Sequence, residues 1–250
     1  MVLNWIVGVI IVIAIIGLGL WMLRKFVKAL LITSVIIIIV VVGFGLYLYS
    51  DSVHLQANII TSDSIFLLQD LKIETGFKAK FANPKGEAPY ILNKTEIDSF
   101  NDYYKDQDLQ SILGKDYKIF FVKEEMFDFE HLEVDLGTYI ANFTTEEIIE
   151  IIKSKKTLID FSGSLAEKTG TYQDTVFANL ITQIKKDYEM KGILFTMMVN
   201  EKIKEEGTLL LAKQVRERNI KAYPETIIFK VAKYLPIGIL ESAMGKLNGG

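Results

Sequence analysis

Two long stretches of this chain are apolar at almost every position, with neither a helical nor a strand period. Residues 2–23 (VLNWIVGVIIVIAIIGLGLWML) and 29–49 (ALLITSVIIIIVVVGFGLYLY) carry no formal charge. At about 1.5 Å of rise per residue each block makes a helix of about 30 Å, the thickness of a bilayer's hydrocarbon core. Only a helix satisfies every backbone group of such a segment in lipid. RKFVK separates the blocks, and the pattern predicts a transmembrane helical hairpin over 1–50 with spans at about 2–23 and 29–49. A cleaved signal peptide does not fit. Residues 1–4 hold no basic side chain, the apolar run is too long, and a basic patch follows it where a small-residue cleavage site belongs.

After Tyr49 the pattern becomes mixed. DSVHLQANIITSD (51–63) reads as a stalk. Three strand-like runs follow, SIFLLQD, GFKAKFA and PYILN, separated by LKIET and NPKGEA, with Gly76, Pro84 and Gly86 as turn residues. A helix is predicted from Thr95 to Tyr104, capped by Thr95 with Asp98 three residues on, and a second over DLQSIL, ending at Gly114. YKIFFVK and GTYIANF read as strands. TTEEIIEIIKSKK sets Thr144 and Glu147 in capping-box register, with acids in its first turn and lysines in its last, as the helix dipole favours. TLIDF reads as a further strand, closing a small mixed α+β domain over 64–162.

Residues 163–246 predict a helical subdomain. Val176, Leu180, Ile184 and Tyr188 recur at four-residue spacing. Gly207 divides KGILFTMMVNEKIKEE from TLLLAKQVRER, and Pro224 opens PETIIFKVAKYL, which Pro236 stops. Residues 247–250 read as a disordered tail. The expected fold class is therefore α+β, with the two-helix hairpin, the mixed domain and the helical subdomain in that order.

Charge adds an orientation. Arg24, Lys25 and Lys28 lie in a connection so short that cation bias places it in the cytoplasm, leaving the N-terminus and everything after Tyr49 outside a cell membrane crossed twice. Trp5, Tyr47 and Tyr49 then mark the outer interface, and Trp21 with Phe26 the inner one. The chain has 28 Lys and Arg against 31 Asp and Glu; three of the cations sit in the patch and no acid precedes Asp51, so the region after Tyr49 carries −6. An acidic region without a basic stripe excludes nucleic acid as the expected partner. Cysteine is absent, so disulfides and thiol chemistry are excluded as well.

Candidate chemistry is sparse. His54 and His131 are too few and too far apart to make a zinc site, and DFEHLEVD (128–135) has carboxylates without the spacing or glycine of a calcium loop. No cofactor or metal is expected. FSGSLAEKTG follows an expected strand, but Lys168, Thr169 and Gly170 stand in the wrong order for a phosphate-binding loop. Ser164 and Lys168, four apart, would share a helix face and are the candidates for a serine–lysine dyad; a turn capping the next helix is the simpler reading. Asn93-Lys94-Thr95 and Asn142-Phe143-Thr144 are possible glycosylation sites if the domain faces outward, although each threonine doubles as an expected helix cap. In TIIFKVAKYLPIGIL, Lys230 and Lys233 share a face opposite Phe229 and its apolar neighbours. The segment is either a core helix or a contact for lipid or a partner, and the core reading fits ordinary packing better.

The expected function is a membrane-anchored extracytoplasmic binding or scaffolding component of the cell envelope. Its partners would be the lipid bilayer and a protein or membrane complex, with Gly8, Ala14, Gly17, Ser34 and Gly43 available for close helix contact. The alternatives are a membrane-surface enzyme using Ser164, Lys168 or the acids between Glu125 and Asp135, and an accessory subunit of a transport or secretion complex.

Overall fold

The computed structural model describes residues 2–81, 88–207, 210–234 and Gly238. The turns assigned to Pro84 and Gly86, the stop at Pro236 and the tail at 247–250 lie outside the described residues. The chain forms two compact units, 1–50 and 51–250.

Helix α1 (Val2–Thr61) is unbroken, so the expected hairpin is not shown: residues 24–28 continue as helix. LRKFVKALL contains no Gly, Pro or Asn, and Leu, Arg, Lys and Ala are strong helix formers. Charges interrupt hydropathy there without interrupting the backbone. One part of α1, Lys25–Ile59, is long and apolar enough to cross a membrane.

The expected stalk is also corrected. Residues 51–61 are the last turns of α1, and Leu55 and Ile59, four apart on one face, are buried in the domain's core. The Asp51 carboxylate accepts the Ile228 backbone N–H at 2.8 Å.

The domain is built on a five-stranded sheet of β1 (Ser64–Gln69), β2 (Ile73–Ala79), β3 (Tyr90–Ile91), β4 (Lys118–Val122) and β7 (Ile220–Tyr223), in the order β3-β2-β1-β4-β7. Among the described residues only β1 and β4 are parallel neighbours. A separate antiparallel ribbon joins β5 (Leu132–Asp135) to β6 (Ile140–Phe143). Helices α2 (Lys94–Lys105) and α3 (Leu109–Leu113) cover one face of the sheet, while α4 (Thr145–Lys153), α5 (Thr157–Thr169), α6 (Gln173–Gln183), α7 (Asp187–Glu206), α8 (Leu210–Arg216) and α9 (Ile227–Ala232) lie on the other.

Two covered faces explain why IFLL and IFFV are apolar at every position. Ile65, Leu67, Ile119 and Phe121 face α2 and α3; Phe66, Leu68, Phe120 and Val122 face the larger helical layer. On that second face Phe77, Phe66 and Phe120 stack across three adjacent strands, with ring centroids 5.0 and 5.1 Å apart. Phe195 meets Phe77 edge-on at 5.4 Å, and Phe229 meets Phe120 edge-on at 6.3 Å. Such pairs contribute about 0.5–1.5 kcal/mol each beyond the area they bury.

Several local expectations change. LKIET is not a connection, since β2 starts at Ile73. Gly76 sits mid-strand rather than in a turn: a Cβ there would lie 2.6 Å from Leu67 Cδ2 and 2.7 Å from the Phe66 carbonyl oxygen, so close packing requires glycine. The cap of α2 is Asn93, boxed with Glu96, in place of Thr95. The α3 stop at Gly114 (φ +53°) and the Thr144–Glu147 capping box of α4 are as expected.

TLIDF opens α5 rather than forming a strand. Thr157 and Ile159 give the short run a strand-like look, but Leu158, Phe161 and Leu165 have helical spacing once the run is extended through FSGSL, and all three are buried. The boundary expected between 162 and 163 therefore falls inside a helix. Because β7 joins the sheet and α7 packs on it through Phe195, the mixed and helical portions share one core.

Candidate functional site

A cleft of about 1190 Å³ opens between four parts of the domain. The start of β2 contributes Lys72 to Thr75, the first turn of α2 contributes Asn93, Lys94 and Thr95, the exit of α4 contributes Ser154 and Lys155, and the entry to α7 contributes Lys185 to Tyr188 with Lys191 one turn further on. Three of the four segments sit where a helix begins or ends. Asn93 caps α2 by accepting the Glu96 N–H at 3.0 Å, and Asp187 at the head of α7 accepts the Leu158 N–H at 2.8 Å, tying α7 to α5.

Six lysines line this cleft (72, 94, 155, 185, 186 and 191) against the three carboxylates Glu74, Asp98 and Asp187. That balance is opposite in sign to the domain as a whole. Lys72 lies 3.7 Å from Glu74, and Lys186 lies 5.4 Å from the centre of the Tyr188 ring. Lys94, Lys155, Lys185, Lys186 and Lys191 form no ion pair among the described residues. Lys191 is half-buried; its burial lowers its pKa, Glu74 pulls it back up, and the nearby Lys72 charge lowers it again. The arrangement is concave, cationic and rich in N–H donors, with the positive end of the α2 dipole at its wall. Chemically it suits an anion.

A second polar cluster is buried beneath α9. Lys118, 1% exposed at the first position of β4, donates from Nζ to the Pro224 carbonyl oxygen at 2.5 Å. Its Nζ stands 5.7 Å from the Phe229 ring centre and 5.2 Å from that of Tyr117. Burial pushes its pKa down to about 8, with the Asp51 carboxylate acting in the opposite direction. Burial also raises the Tyr117 phenol, whose bond with Asn58 works against the shift. The hydroxyls of Ser64, which is Lys118's register partner across β1 and β4, and of Thr226 are buried without a hydrogen-bond partner among the described residues.

The residues expected from sequence distribute differently. FSGSLAEKTG lies within α5 and forms no loop. Lys168 pairs with Glu147 at 2.8 Å and lies 4.9 Å from the Phe143 ring centre. Burial alone would raise the Glu147 pKa, but Lys168 and the Thr144 N–H hold it below the ordinary value. Lys168 thus serves as an ion-pair cation, and no hydrogen bond joins it to Ser164 among the described residues. Within DFEHLEVD, Asp128 accepts from Lys202 at 2.5 Å and Asp135 accepts the Gly137 N–H at 2.7 Å. Among the described residues no group of three or more His, Asp and Glu is placed to hold a metal.

Asn93 uses its side-chain oxygen as a cap, and Asn142 is exposed on β6. Phe229, considered as a lipid or partner contact, is 1% exposed and belongs to the core, as do Ile228 and Ala232. Lys230 is exposed, and Lys233 pairs with Glu225 at 2.5 Å. Lys25, Lys28, Tyr47 and Tyr49 are exposed on α1; the side chains of Trp5, Trp21 and Arg24 lie outside the described ones.

Sequence reasoning missed both polar features. The cleft lysines are scattered from 72 to 191 and meet only in the fold. Lys118 had one available signal: a lysine opening a strand whose other positions are all apolar has no solvated face to point to. Compared with known proteins, the chain matches no family model, no curated protein and no solved structure.

Proposed function

We propose that the protein is a membrane-anchored binding or scaffolding component of the cell envelope whose domain from residue 51 onward stands outside the membrane. The observation that supports this reading is that α1, which contains the apolar stretch Lys25–Ile59, ends inside the core of the domain that carries the cationic cleft. Such a domain is held at a membrane and offers a concave, charged surface to a ligand.

The orientation rests on Arg24, Lys25 and Lys28, which immediately precede the apolar run from Ala29. Cation bias keeps that end cytoplasmic, so the span leads outward whatever residues 2–23 do. As a straight helix, residues 2–49, which hold both uncharged blocks, would reach about 72 Å, more than two bilayer cores. Both uncharged blocks therefore fit one bilayer only if the helix reverses near the basic patch, which gives the two-span arrangement with the N-terminus outside.

The absence of cysteine makes single-cysteine labelling a clean test. In intact cells a membrane-impermeant maleimide is expected to label Lys204→Cys, an exposed position on α7, and to reach Lys28→Cys only after permeabilisation. Labelling of Asn4→Cys in intact cells marks two spans, and its protection marks one. A protected Lys204→Cys alongside a labelled Lys28→Cys would reverse the orientation.

A further inference from the structure

We propose that the lysine-lined cleft binds a multivalent phosphate, a ligand that carries several phosphate groups in one molecule. This rests on the binding reading above and names its ligand. Six lysines converge on one concavity of a domain whose net charge is negative, and they arrive from separate segments: Lys72 on the approach to β2, Lys94 on α2, Lys155 after α4, and Lys185, Lys186 and Lys191 around the start of α7. They surround the space instead of lining one solvated helix face. Five of them have no ion-pair partner among the described residues, and although Glu74 and Asp187 offset part of the charge around Lys191, six cations against three carboxylates leave an excess that an entering anion would neutralise.

The donors suit phosphate. Every cation in the cleft is a lysine, a compact charge with rotating N–H donors that can meet the oxygens of several phosphate groups from many directions. The first turns of α2 and α7 also border the space, bringing the positive ends of two helix dipoles to it. Asp187, Glu74 and Asp98 oppose an anion at their own positions, but Asp187 is turned to the Leu158 N–H and Glu74 to Lys72. At about 1190 Å³ the cleft exceeds the roughly 300–1,000 Å³ typical of small-molecule pockets. One phosphate ion would leave most of it empty and most of the lysines unmatched.

Two sources share this chemistry, a soluble polyphosphate and a lipid headgroup with more than one phosphate. Full-length protein in phosphatidylcholine nanodiscs is titrated calorimetrically with tripolyphosphate, and separately sedimented with phosphatidylcholine vesicles containing or lacking diphosphatidylglycerol. Saturable binding that weakens as salt rises is expected in one arm, and the arm identifies the source. Lys94→Gln/Lys155→Gln/Lys185→Gln changes three exposed lysines, so melting stays unchanged while affinity falls at least about tenfold, since each charged hydrogen bond lost is of that order. Lys204→Gln, outside the cleft, leaves affinity unchanged. No binding in either arm, or binding the triple variant leaves intact, overturns the assignment. Cysteine labelling is independent of phosphate, so failure here and failure of the membrane reading are separately visible.

Discussion

Lys118 and Lys202 are the same residue in almost the same degree of burial, 1% and 5% exposed, and each has a phenylalanine ring 5.7 or 5.5 Å from its Nζ. Their charges are treated in opposite ways. Lys202 reaches Asp128 at 2.5 Å, Glu205 at 3.2 Å and Glu206 at 3.4 Å. Burial disfavours its charge, but these carboxylates more than compensate and hold its pKa above the ordinary lysine range. Lys118 has one carbonyl and the influence of Asp51, and burial prevails. Depth alone does not decide the state of a buried amine; the number of acceptors brought within reach does.

The largest expected effect comes from breaking the well-matched site. Lys202→Met leaves the largely buried Glu206 with Lys213 and Gln214 as its partners among the described residues, and because Asp128 and Glu205 regain solvent, the loss is expected to be about 1–3 kcal/mol. Calorimetric melting of full-length protein in detergent measures this; a change under about 1 kcal/mol would mean that the cluster is solvated. Both tryptophans lie in α1, so intrinsic tryptophan emission would not follow the domain.

The opposite sign is expected at Lys118. A lysine whose folded pKa is about 8, against about 10.4 unfolded, binds fewer protons folded than unfolded between those values, so it disfavours folding below pH 8 and that penalty fades as pH rises to about 10.4. Lys118→Met removes the charge but leaves the Pro224 carbonyl without its donor, for a net gain of about 1–2 kcal/mol at pH 7. The wild type is expected to gain stability between pH 8 and 10 relative to the variant. A parallel pair of stability curves would show that Lys118 is solvated. Lys202 does not confuse the window, because its raised pKa stabilises the fold throughout it and its contribution fades only above the unfolded value.

A third lysine sharpens the comparison at the weak end. Lys168 and Glu147 are 28% and 40% exposed, and Lys168→Met is expected to lower stability by about 0.3–1 kcal/mol, an effect that 0.5 M salt largely removes. The smallest effect belongs to the cleft: Lys94→Gln, Lys155→Gln and Lys185→Gln singly are expected within about 0.5 kcal/mol of wild type. A loss beyond 1 kcal/mol in any of them would make that lysine structural.

What the sequence revealed about this fold was mostly local. The Thr144–Glu147 capping box and the glycine stop at 114 are written within a few residues and were readable there. The apolar runs around Phe66 and Phe120 were readable as strands, because a chain covered on both faces needs no polar alternation. TLIDF misled because five residues are too few to separate a helical period from a strand. IKAY was invisible as a strand because Lys221 faces outward at the sheet's edge and only four residues pair. The hairpin is not shown, since the charge cluster that resembles a loop in hydropathy continues as helix. The cleft was out of reach altogether, because its lysines are spread over more than a hundred residues from 72 to 191 and each, alone, looks like a solvated surface cation.

Strand β7 adds a constraint in time. Val122 of β4 pairs with Ile220, nearly a hundred residues later in a chain that leaves the ribosome N-terminus first. While that interval is being made, β1 and β2 can already pair through a short turn, but the outer edge of β4, with its exposed run of isoleucine and phenylalanines, has no neighbour. An open apolar edge is the usual template for pairing between chains, and contacts of such long sequence separation form slowly. The newborn protein is therefore most prone to self-association between the completion of β4 and the arrival of residues 220–223, and whatever attends its synthesis must shield that edge while α4 to α8 are made.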